Sequence, residues 1–277
     1  MVDFWLFSLA VASYATATLI WLGFVWFQDD HWHRFGTAAV SLGWLSHTLA
    51  LLWETVAQGF FPVGSLGAAL SLFSWTLTTA FLILNWRYPV KVLGAMVTPL
   101  AALLLVGSLS LPRPQVLPPI LQSFWLSFHI AAALLGNATF ALACLGGILY
   151  LIQERQLKGK KFGFFYKRLP SLETLDALNY YCINIGFILL TLGIITGSLY
   201  AQYTLGTFWQ WDPKETMTLI AWLLYAGLLH ERLAKGWRGR RAALMAIAGF
   251  IVLLVTLVGT DFWHKSYHRF DTLGRLP

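Results

Sequence analysis

Residues Cys182 to Gln202 read C-I-N-I-G-F-I-L-L-T-L-G-I-I-T-G-S-L-Y-A-Q, 21 positions without a charged side chain. At 1.5 Å per residue a helix of that length reaches about 30 Å, the thickness of a bilayer's hydrocarbon core. The run is continuous rather than alternating, so it does not read as a strand of a membrane barrel. Comparable runs lie at about 4–27, 36–57, 64–85, 90–111, 122–152, 215–233 and 241–260. Lipid leaves only helices or closed barrels able to satisfy the backbone. The expected fold is therefore an all-α, polytopic integral membrane helical bundle of about eight spans, a single domain over 1–277. Composition agrees: 58% of residues are hydrophobic and 11% charged, where a soluble domain carries roughly 25% charged residues. Pro62, Pro89 and the prolines within 112–119 fall between runs, where proline costs little.

The distribution of Lys and Arg sets the expected orientation, because cytoplasmic loops carry their excess. Of the 19 basic residues, fourteen fall in the odd-numbered loops, around Arg34, Arg87, Arg155–Arg168 and Arg232–Arg241. The remaining five are Arg113, Lys214, Lys265, Arg269 and Arg275. The odd loops are thus expected in the cytoplasm, including a basic loop at about 153–181, and both termini on the outer, periplasmic side. Within that basic loop, L-P-S-L-E-T-L-D (169–176) has the spacing of a short amphipathic helix at the interface. The net charge of +7 resides in these loops and argues against nucleic-acid binding. Cys144 and Cys182 lie inside apolar runs as buried small hydrophobes. No positive charge precedes the first run, which begins after Asp3, so it reads as a retained span and not a signal peptide.

After the opening run comes a loop at about 201–214, on the outer side in this orientation, containing T-F-W-Q-W-D-P-K-E-T (207–216). Asp212 at N-cap, Pro213 at the first helical position and Glu215 at the third predict a capping box that starts a helix. Helix initiation gives no reason for Phe208, Trp209 and Trp211, whose flat apolar faces suit a planar ligand. Histidines add to this. His31 and His33 are expected in a solvated loop, whereas His47, His129 and His230 fall within spans, where an ionisable group is costly and points to function. His264 and His268 follow the last run. Two neutral imidazoles across a gap can hold both axial positions of a haem iron, and the outer side gathers His129, His268 or His264, and the tryptophans.

Several segments carry a resemblance. These are G-F-F-P-V-G-S-L with S-L-F-S-W (59–75), W-L-S-F-H-I-A-A-A-L-L-G-N-A-T-F-A-L-A (125–143), Y-L-I-Q-E-R (150–155), L-P-S-L-E-T-L-D (169–176), G-F-I-L-L-T-L-G-I-I-T-G (186–197), W-Q-W-D-P-K-E-T (209–216) and W-L-L-Y-A-G-L-L-H (222–230). In this order they resemble the CcsA (ResC) family of cytochrome c biogenesis proteins of system II, haem-handling membrane proteins with a tryptophan-rich WWD motif. The resemblance implies a haem transport and presentation subunit of the cytochrome c synthase (haem lyase), with haem b as transported substrate. It implies that haem reaches the outer face and is held there for thioether attachment to the C-x-x-C-H cysteines of apocytochrome c. By position, His129 and His268 are then the external axial ligands, with His264 as the alternative to His268. Phe208, Trp209, Trp211, Asp212 and Gly206 form the haem loop, and His230 is a ligand for haem in transit, with His47 a weaker candidate. Implied partners are a CcsB (ResB) subunit, apocytochrome c and thiol-reducing, thioredoxin-like proteins. The implied location is the bacterial inner membrane, or the thylakoid for a plastid-encoded chain. Departures from the family pattern are Leu205 and Tyr200 in place of tryptophans, Asp261 in place of asparagine, Arg269-Phe270 in place of Ser-Tyr, and Gly67-Ala68-Ala69 where a glutamate is usual.

Two other classes are weighed. A b-type electron-transfer cytochrome pairs histidines along the same helices, whereas no span here carries more than one. A haem-binding regulator of haem biosynthesis shares the topology, but is expected to lack the W-x-W-D-P-K-E loop.

Overall fold

A computed structural model describes residues 2–88, 90–111, 122–160, 163–164 and 166–259, the last three without side chains. Among the described residues the regular structure is helical: α1 Val2–Phe27, α2 Asp30–Gln58, α3 Leu66–Arg87, a 3-10 turn Lys91–Leu93, α4 Gly94–Leu109, α5 Phe124–Lys158, α6 Leu172–Leu205, α7 Pro213–Lys235 and α8 Arg240–Gly259. Six of them, α1 to α6, the fourth counted with its preceding turn, are long and apolar enough to cross a membrane. The chain is an integral membrane helical protein. It divides into two compact units, Met1–Leu117 and Pro118–Pro277.

In the first unit α1 packs on α2 and α4, and α3 on α4. Trp21 and Tyr14 of α1 are fully buried with Leu77, Phe81 and Leu105. Lipid is as apolar as leucine, so close packing and buried hydrogen bonds hold such helices together more than hydrophobic burial does. The bonds are numerous here. Trp44 Nε1 donates to Thr79 and Trp75 Nε1 to Thr48, both at 2.8 Å, and Ser74 Oγ donates to the Ala101 carbonyl at 2.8 Å.

Two expectations are corrected in this unit and the next. His31 and His33 lie in the first turn of α2, not in a loop, because Asp29 caps the helix and accepts from the His31 backbone N–H at 2.9 Å. That bond, then the His31 ring, holds the exposed Asp29 carboxyl below its usual pKa. His33 meets Trp21 edge-on at 5.0 Å and reaches Asn85 at 3.3 Å. Farther along, the basic connection spans 159–171 rather than 153–181. α5 continues through a Glu154–Lys158 pair at 2.7 Å, one turn apart, and the segment expected as a separate interfacial helix is instead the start of α6, capped by Ser171.

The second unit is built on α5 against α6, with α8 on α5 and α7 on α8. Helices α5 and α6 approach along small residues: a Cβ on Gly136 would stand 3.1 Å from the Leu190 backbone nitrogen, and one on Gly193 3.4 Å from Ala133. Phe140 of α5 stacks on Tyr225 of α7. At the far end Arg232 of α7 grips Asp176 of α6 through two bonds, of 3.1 and 2.6 Å, and lies 4.4 Å over the Tyr180 ring. The Gly239 N–H also donates to Asp176, at 2.7 Å.

The Arg232 and Asp176 side chains are only 9% and 15% exposed, so removing one leaves an uncompensated buried charge. Asp176→Asn should cost about 3 kcal/mol, read as a lower unfolding midpoint in detergent. Asp176→Asn with Arg232→Gln should lose less than the single change. Equal losses would contradict the clamp.

Candidate functional site

His129 sits five residues into α5 and faces α6. Its Nδ1 lies 2.7 Å from the Gly193 carbonyl oxygen. A carbonyl only accepts, so Nδ1 carries the proton and Nε2 presents the lone pair. This is the arrangement in which a backbone carbonyl orients an imidazole as a ligand. The ring is seated on Gly197, where a Cβ would come within 2.6 Å of the His129 Cε1. G-I-I-T-G, residues 193–197, thus does two things: one glycine supplies the acceptor and the next the room.

The same end of α6 runs on into the tryptophan-bearing connection. Gly206 ends the helix in the left-handed conformation, φ 75°, its N–H donating to Gln202. Asp212 then caps α7: its side chain accepts from Lys214 N–H at 2.8 Å, and Glu215 accepts from Gln210 and Asp212 N–H at 2.9 and 3.3 Å. The expected capping box is present. Between these fixed ends Trp209 and Trp211 meet edge to face, 6.1 Å apart at 84°. Trp211 and Phe208 are 73% and 57% exposed, so the loop offers apolar faces to whatever covers it. Trp211 has φ 58°, a conformation strained for a bulky residue and characteristic of sites where function fixes the backbone. Trp209 Nε1 is buried with no hydrogen-bond partner among the described residues.

The other candidates lie elsewhere. His230 is 17 residues along α7, so about 25 Å from the loop along the helix. It is exposed, in one stripe with Leu223 and Gly227, and a Cβ on Gly227 would meet nothing within 4 Å. His47 is wholly buried in the first unit, its Nδ1 3.3 Å from the Tyr14 hydroxyl and its Nε2 3.0 Å from that of Ser71. His264 and His268 lie outside the described residues. α8 packs on α5, Gly147 lying against Ala243.

Residues 63–268 match the family model of the cytochrome c assembly protein. A cytochrome c biogenesis protein CcsA from Guillardia theta is 34% identical over 274 residues, covering 92% of this chain and 91% of that one. The chain belongs to the CcsA family of cytochrome c biogenesis proteins. A CcsA from Pyropia yezoensis is 32% identical, covering 87% of this chain and 88% of that one, and one from Gloeothece citriformis is 29% identical, covering 93% of each. A solved cytochrome c heme lyase, CcmF, matches with a TM-score of 0.65 at 18% identity, over 99% of this chain. It attests the fold; this chain spans about half, 51%, of that larger one.

The family assignment gives the chain a role in cytochrome c maturation. Reading the histidines alone does not reveal the seat of His129 on Gly193 and Gly197. The G-x-x-x-G spacing, a sign of close helix approach in membranes, is the signal that points to it. The strain at Trp211 has no sequence signal.

A left-handed residue costs roughly 1–2 kcal/mol unless it is glycine. Trp211→Gly should therefore be more stable than Trp211→Ala by about 1 kcal/mol, read from detergent unfolding midpoints. Equal midpoints would show the loop to be relaxed in another conformation.

Proposed function

We propose that this chain is the haem-transport and presentation subunit of a cytochrome c synthase. In this reading it holds haem at the outer face of the membrane for thioether attachment to apocytochrome c. The observation that carries the reading is His129, its Nδ1–H committed to the Gly193 carbonyl and its Nε2 turned into the ligating form, at the end of the unit where the tryptophan loop stands. Haem is the substrate here, and the residues fit it. Nε2 of His129 takes one axial position of the iron, and His268, with His264 as the alternative, takes the other. Phe208, Trp209 and Trp211 cover the macrocycle, where aromatic burial supplies most of the binding energy. Trp209 Nε1 suits a propionate oxygen. Gly206 and Asp212 act indirectly, fixing the two ends of the loop.

The protein then has little bond-making to do. The attacking thiolates belong to the C-x-x-C-H substrate, and the chain contributes position and control of the iron's ligands. The substrate's own histidine displaces one axial ligand as the product forms.

His230 serves haem in transit in this scheme. Its exposed stripe, flattened at Gly227, suits a planar molecule approaching from the side, with the second axial ligand supplied by a CcsB-type partner. His47 is the weaker candidate, because Tyr14 and Ser71 engage both its nitrogens. We place it in the core of the first unit. The orientation that puts both termini and the tryptophan loop outside rests on the excess of basic residues at the opposite loops. Relatives from plastids and cyanobacteria suit a bacterial inner membrane or a thylakoid.

Native absorption spectra of the purified protein, with haem content measured as the pyridine haemochrome, test the external site. Wild type should retain haem with a bis-histidine spectrum. His129→Ala with His268→Ala should lose that spectrum and most of the haem, and a C-x-x-C-H reporter should go unmatured. Gly197→Val, which displaces the His129 ring without removing it, should lower haem occupancy several-fold. Full haem and an unchanged spectrum in the double variant would show the site to be elsewhere.

A further inference from the structure

At the end of the second unit farthest from the tryptophan loop, the last turns of α5 and the first turn of α8 enclose a cleft of about 620 Å³. Leu151, Ile152 and Leu244 form its apolar wall, and Arg155, Lys158 and Arg240 its basic rim. Between them stands Glu154, 13% exposed, which holds Lys158 at 2.7 Å and Arg240 at 3.8 Å. One sheltered carboxylate thus gathers two cations that are themselves 67% and 62% exposed. With Arg155 beside them the cluster keeps an excess of positive charge, and the N-terminus of α8 adds its partial positive charge.

We propose that this cleft is a binding site for an anionic phospholipid, its phosphodiester held by Lys158 and Arg240 and its acyl chain lying along Leu151 and Leu244. Charge complementarity selects the anion, and the apolar wall selects the lipid. A free phosphate would gain nothing from Leu244, which is 48% exposed and needs cover from an alkyl chain. Haem also combines carboxylates with an apolar body, but among the described residues the lining holds no histidine, cysteine or methionine to bind its iron. Basic pockets between helices at a membrane interface recognise anionic head groups in this way. Bound there, the lipid would brace α8 against α5 at the end remote from the haem loop. The cleft does not depend on the haem reading.

Native mass spectrometry tests the site, using protein delipidated and re-equilibrated with equimolar phosphatidylglycerol and phosphatidylcholine. Wild type should retain phosphatidylglycerol on the order of tenfold over phosphatidylcholine, as two interfacial cations predict. Lys158→Gln with Arg240→Gln should abolish the preference, and Arg240→Lys should keep most of it. If the double variant fails to fold, wild type alone decides the matter, because the preference must weaken steeply between about 0.1 and 1 M salt. Equal retention of the two lipids, a preference untouched by the double change or by salt, or displacement of the lipid by millimolar inorganic phosphate would each overturn the proposal.

Discussion

Lipid offers no hydrogen bonds, so every polar group in a membrane-spanning segment has to be answered from within the protein. That constraint organises this chain. Helices alone satisfy the backbone, and many polar side chains find partners within the protein: Trp44 with Thr79, Trp75 with Thr48, the Asn179 Nδ2 with the Ala143 carbonyl at 2.9 Å, and Trp222 with Thr191 at 2.9 Å. One charge near a helix end is doubly held: Asp176, by Arg232 and by the Gly239 N–H. Each bond is worth about 1 kcal/mol or less. Many of them, together with close packing at small residues, hold the bundle where hydrophobic burial cannot.

The same constraint distinguishes the histidines. His47 answers it with both nitrogens, to a tyrosine and a serine, and so becomes part of the first unit's core. His129 answers it at Nδ1 through a backbone carbonyl, which fixes the tautomer and leaves Nε2 in the form that binds a metal. Gly193 lets α6 approach Ala133 of α5, and the ring fits because residue 197 has no side chain. A nearby loop carries local strain at Trp211, and Trp209 Nε1 is buried there without a partner among the described residues; the capping box at Asp212 and Glu215 fixes its end.

Much of this fold is legible in the amino-acid sequence. Long uncharged runs mark the helices, and D-P-K-E marks the start of α7, because those signals are local and strong. Charge is a poorer guide to where a helix stops. Glu154 and Lys158 extend α5 by pairing one turn apart, and Asp29 caps α2 so that His31 and His33 become helical. The site is half legible. Residue type singles out His129 and the tryptophans, but their geometry depends on the approach of α5 to α6. That approach is a tertiary fact, and only the glycine spacing hints at it. His264 and His268 lie outside the described residues, so the proposal of a second axial ligand rests on sequence.

The central claim is that His129 binds the iron through Nε2 while Gly193 holds Nδ1. Low-temperature electron paramagnetic resonance of the ferric haem complex tests it most directly. Wild type should give a low-spin signal, with coupling from a histidine nitrogen isotopically labelled at Nε2, and His129→Ala should convert the haem to high spin. A low-spin signal with the same nitrogen coupling in His129→Ala would contradict the account.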